Sequence, residues 1–90
     1  MNETLFRTMA KKSVAEYWNG NKTLVKKFGE INYQKVFVVW EAKILKNNKA
    51  MLALPFDNDG MYFEFTWDGA AIEGYLDVYK KQKQIVINEA

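Results

Sequence analysis

Ninety residues carrying a net charge of +2, with no His and no Cys, exclude a disulfide framework, thiolate and imidazole metal centres, a thiol nucleophile and the commonest general base. A chain this short buries only about 60–65% of the surface that its unfolded form exposes, and six Phe, five Tyr and three Trp supply ring area for that purpose. The expectation is a single α+β domain over 1–90, with an aromatic core held by packing alone.

In chain order, Asn2 is a candidate cap, and Phe6, Met9/Ala10, Ser13/Val14 and Tyr17 recur at three- and four-residue spacing. That is one face of a helix over about 3–18, with Asn19-Gly20 as a left-handed stop. Residues 20–35 hold Gly and Asn turn formers and scattered lysines around Leu24, Val25, Phe28 and Ile31, which reads as an irregular connector. From Val36 the period changes to two. Val36, Val38, Trp40, Ala42 and Ile44 alternate with Phe37, Val39, Glu41, Lys43 and Leu45, predicting a long strand with one apolar face. A three-residue loop at Asn47–Lys49 leads to a strand carrying Leu52 and Leu54 up to Pro55, where the ladder loses a donor. Asp57-Asn58-Asp59-Gly60 is a turn, and its pairing sets Leu54 opposite Phe63 and Leu52 opposite Phe65. Met61–Trp67 alternates again, Asp68-Gly69 turns, and Tyr75–Tyr79 alternates once more; Ile85-Val86-Ile87 is a candidate fifth strand. Short connections make this an antiparallel meander of four to five strands within 36–88, with the N-terminal helix packed on one face.

The block VFVVW, KILKNNKA, DGMYFEFTWDG and YLDVYKK, over about residues 31–83, resembles a family of small uncharacterised proteins encoded by phages and prophages of Gram-positive bacteria. The family pattern has an N-x-K-A-L hairpin; here Asn48-Lys49-Ala50-Met51-Leu52 is one residue off that spacing, and Ala70 stands where an acidic turn residue is expected. The resemblance implies origin and fold and carries no functional residue with it. With no secretory pattern at the N-terminus and no apolar run long enough to span a membrane, it places the expected location in the bacterial host cytoplasm.

Chemistry is sparse. The five glycines match neither G-x-G-x-x-G nor the phosphate-loop spacing. Aligning Gly60 with the invariant glycine of a calcium loop would put Pro55 and Thr66 at ligand positions, so the acidic run is a hairpin turn. Glu64 and Asp77 share the outer face of neighbouring strands, which raises paired-carboxylate catalysis, but an open face supplies little desolvation and directly opposed carboxylates favour a diagonal offset that sets Glu64 near Tyr75. Neither an enzyme nor a bound cofactor is expected.

The outer face itself is unusual. Phe37, Val39, Met51, Tyr62, Tyr75 and Tyr79 lie among Glu41, Lys43, Glu64 and Asp77, the composition of a protein–protein hot spot. Two readings stand: the face binds a host or phage protein, or the C-terminal segment or the connector covers it as a second small core. Self-association through the face or an edge strand would serve as well. The alternative function is a small nucleic-acid-binding module. Residues 1–49 carry ten Lys/Arg against four acids and residues 50–90 carry three against seven; Lys11, Lys12, Lys22, Lys26, Lys27 and Lys35 with Lys80, Lys81 and Lys83 would form its basic stripe.

Overall fold

The computed structural model describes residues 1–89. Asn2 adopts an extended conformation and its side-chain oxygen accepts the Leu5 N–H at 2.8 Å, satisfying a donor that a helix start leaves free. Helix α1 (Glu3–Gly20) follows, and its Phe6, Ala10, Val14 and Trp18, four residues apart, are fully buried. The expected Tyr17 lies at the margin, and the Trp18 indole takes the central place instead. The left-handed stop at Gly20 is absent. Asn21, at φ −97°, closes α1 with its backbone and opens a second helix, α2 (Lys22–Phe28), by accepting the Thr23 and Leu24 N–H groups on its side chain.

The segment read as an irregular connector is therefore largely helical: α2 is followed by one 3-10 turn at Tyr33–Lys35. Seven residues are too few to hold a helix by propensity, so tertiary contacts fix this one. The Trp18 Nε1–H donates to the Gly29 carbonyl at 2.9 Å, and the Asn19 amide both donates to and accepts from the Ile31 backbone. Trp18, Phe28 and Phe56 form a ring cluster with centroids 5.6–6.1 Å apart.

Four antiparallel strands follow in meander order: β1 (Phe37–Ile44), β2 (Asn47–Ala53), β3 (Met61–Asp68) and β4 (Glu73–Lys80). The predicted α+β architecture is present. Among the described residues no fifth strand forms; Ile85, Val86 and Ile87 lie exposed outside the sheet. The registers differ from those predicted. The first hairpin turns at Leu45-Lys46, with Leu45 at φ 55°, rather than at Asn47–Lys49. Leu52 faces Phe63 and Ala50 faces Phe65, because the β2–β3 connection takes all of residues 54–60. Asn58 is buried in that connection, and its side chain accepts the Met61 N–H. Gly69 cannot carry a side chain: a Cβ there would stand 2.3 Å from the Lys46 carbonyl oxygen, to which Gly69 N–H donates.

The largest departure is a bulge in β1. Val38 pairs with Leu52 but Trp40 pairs with Met51, so Val39 is the extra residue and everything after it changes face. Glu41 and Lys43, expected on the outer face, point to the helix side, opposite Ala50 and the buried Asn48, and Glu41 is ion-paired with Arg7 of α1. Trp40, Ala42 and Ile44, expected in the core, point outward. The core is consequently the α1 stripe against Val36, Ala50, Leu52, Leu54, Phe63 and Phe65, beneath the two central strands, with Ile31 at its margin. The molecule is 19 Å thick, one sheet plus one helical layer. Its 6601 Å² of surface exceeds the roughly 5,400 Å² usual for a monomer of this mass.

Core placement predicts unequal costs for two aromatic truncations. Phe63→Ala should lose about 3–5 kcal/mol in urea unfolding, whereas Trp40→Ala should stay within about 1 kcal/mol. An unbulged β1 would bury Trp40 and bring the two values together.

Candidate functional site

With the helix on one side, alternation assembles the other side row by row. Trp40, Met51, Glu64 and Asp77 form one row across the sheet, and Ala42, Lys49, Thr66 and Tyr75 the next; Tyr62 faces Tyr79, and Phe37 faces Ala53. Among the described residues nothing packs over this surface. Neither the C-terminal segment nor the 20–35 region covers it: Phe37, Trp40, Tyr75 and Tyr79 are 38–47% exposed and Ile44 is 71% exposed. Tyr62 and Tyr79 stack with centroids 5.0 Å apart and planes 9° from parallel, presenting one continuous ring surface. Toward the other side of the sheet, Trp40, Ala42, Ile44, Asn47, Lys49 and Thr66 line a shallow groove of about 450 Å³.

The charges between these patches are partly balanced. Glu64 and Asp77 sit directly opposite, not diagonally offset, an arrangement that costs energy unless a cation answers it. Lys49 does so, its Nζ 2.9 Å from Glu64 Oε1. That hydrogen bond, followed by the charge of Glu64, raises the Lys49 pKa. The same carboxylate charge is the main cause raising the Tyr79 phenol, with burial second. Tyr75 is raised chiefly by its own hydrogen bond to Glu73. The carboxylate pair lies on an open face and is engaged by a lysine, which gives it neither the enclosure nor the separation of environments that acid–base work requires.

Seven of the expected surface residues thus come together: Phe37, Met51, Tyr62, Glu64, Tyr75, Asp77 and Tyr79. Glu41 and Lys43 do not join them, and Trp40, Ile44 and Lys49 take their place. The missed exchange had a faint signal. Val36–Trp40 is an unbroken apolar run, so nothing in it sets the phase of alternation, and the first charged residue after it, Glu41, has a natural counter-ion in Arg7.

The basic residues are dispersed. Lys27 Nζ binds the Asp59 carboxylate at 2.6 Å, and that hydrogen bond with its charge, joined by Lys80, lowers the Asp59 pKa. Lys81 lies beside Gly60 at the same end of the sheet. Lys12 stands over the Tyr33 ring, 5.1 Å from its centroid, and Lys11 lines a separate groove with Thr4, Thr8 and Gln34. Lys22, Lys26, Lys35 and Lys83 are exposed. One carboxylate therefore interrupts the expected stripe, and two of its lysines sit on α1 beside the 3-10 turn that carries Lys35.

Among the described residues, no helix is long and apolar enough to cross a membrane. The chain belongs to a family of unknown function (DUF6275), whose model matches residues 7–89. No curated protein and no solved structure matches it.

The electrostatics of the face give a signed prediction. A carboxylate at Glu64 disfavours the phenolate of Tyr79, so Glu64→Gln should bring the Tyr79 titration to lower pH while leaving Tyr75, whose shift comes from Glu73, in place. Residue-resolved NMR of the tyrosine rings through the alkaline range would show this; an unmoved Tyr79 would remove Glu64 from the account.

Proposed function

We propose that this chain is a non-enzymatic accessory protein of a phage or prophage, acting in the bacterial cytoplasm by binding a host or phage protein through its outer sheet face. The observation that carries the reading is the uncovered surface of Phe37, Trp40, Tyr62, Tyr75 and Tyr79, flanked by the Lys49–Glu64 pair. Large rings with a polar tip beside charge-balanced neighbours are the groups that dominate protein interfaces. The phage origin rests on the resemblance of residues 31–83.

A nucleic-acid role would need the lysines to act as one surface, and the Lys27–Asp59 pair works against that. The two readings part on salt and on position. Protein binding through the rings should persist as ionic strength rises, whereas phosphate binding should weaken steeply. Affinity purification from infected cells with the full chain and with a Trp40→Ser/Tyr75→Ser/Tyr79→Ser variant tests the assignment. The expected result is a protein retained by the parent in high salt and lost by the variant, with the thermal transition of the variant close to that of the parent. A partner retained equally by both would refute the face as the site.

A further inference from the structure

The two edges of the sheet are built differently. β1 carries the Val39 bulge and turns Glu41 and Lys43 toward the helix side, features that discourage pairing with another strand. β4 has no bulge, and Lys80, opposite Met61, is its only charged residue on the helix side. Its residues follow β3 without a register shift, and all of them except Leu76 are exposed. The ladder bond from the Lys81 N–H to the Gly60 carbonyl, 2.8 Å, fixes the phase of the strand. In an antiparallel pair the bonding residues alternate, so Glu73, Tyr75, Asp77 and Tyr79 bond to β3. The N–H and C=O groups of Gly74, Leu76, Val78 and Lys80 are directed away from the sheet.

Charge along this edge is polarised. Glu73 and Asp77 occupy its first part, and Lys80, Lys81 and Lys83 its end. A strand that is acidic at one end and basic at the other is complementary to itself when inverted, which is the requirement of a two-fold interface.

We infer that β4 pairs with β4 of a second copy of this chain, antiparallel about a two-fold axis at Val78, joining the two meanders into one continuous sheet. In this register Glu73 of one copy faces Lys83 of the other, Tyr75 faces Lys81, and Asp77 faces Tyr79. Val78, 39% exposed on the helix side, meets its own counterpart. An axis at Asp77 would set two carboxylates face to face, and an axis at Tyr79 would leave less of β4 in the ladder. The tyrosine-bearing outer faces of the two copies become contiguous. Because the contact uses the strand's edge and the proposed partner site uses its face, each survives the loss of the other.

Sedimentation equilibrium of the full chain up to the millimolar range is the test, with three variants. Val78→Pro removes an N–H that points away from β3 and costs no ladder bond within the chain; it should convert a dimer to a monomer with an unchanged circular dichroism spectrum. Lys83→Glu opposes two carboxylates at each end of the contact and should raise the dimer dissociation constant roughly tenfold. Adding Glu73→Lys to that variant should restore the parent value, and this exposed charge swap decides the matter if the proline variant fails to fold. A parent that stays monomeric throughout, a charge swap without effect, or a dimer abolished by ending the chain after Gln84 would each overturn the pairing, the last by assigning it to Ile85–Ile87.

Discussion

One helix cannot cover four strands, and most of what distinguishes this molecule follows from that mismatch. A helix with its side chains is about 10–12 Å across, whereas four strands about 4.8 Å apart present a sheet nearly twice as wide. The α1 stripe of Phe6, Ala10, Val14 and Trp18 therefore shelters Ala50, Leu52, Phe63 and Phe65 on the central strands, and these are the side chains driven below a few percent exposure. The edge strands receive little cover on the helix side and none on the other. The helix α2 and the ring cluster of Trp18, Phe28 and Phe56 extend the second layer only at one end of α1.

The bulge at Val39 is how β1 answers its exposed position. By keeping Val36 and Val38 on the core side and reversing the strand after them, it brings Glu41 to Arg7 and turns Trp40, Ala42 and Ile44 outward. Two effects come from one inserted residue. The edge becomes irregular and charged on its inner side, and the outer face gains an indole and a groove that regular alternation would have hidden in the core.

The outer face is then stabilised by interactions that leave it available. The Tyr62–Tyr79 stack and the Lys49–Glu64 pair join neighbouring strands across the surface without enclosing anything. Exposed ion pairs contribute little to stability, but here the lysine offsets the repulsion between Glu64 and Asp77 that the β3–β4 register imposes. The result is a flat, ring-bearing, charge-balanced surface on one side and a regular, unbulged strand at its border.

By itself the sequence determined the first helix and the four strands, their meander, the helical face built on Phe6, Ala10 and Val14, and the gathering of Tyr62, Glu64, Tyr75, Asp77 and Tyr79 on one surface. Each of these rests on local periodicity, which a single residue order expresses directly. It did not determine the phase of β1, the helical state of residues 22–28 or the fate of Ile85–Ile87. A bulge leaves the hydrophobic pattern of Val36–Trp40 unchanged and is chosen by which neighbours the strand meets, Leu52 and Met51 on one side and Arg7 on the other. A seven-residue helix is held by Trp18 and Asn19 from another element, and an apolar triplet becomes a strand only where an edge is open in the right register. Those decisions belong to tertiary packing, because the energies that settle them lie between residues far apart in the chain.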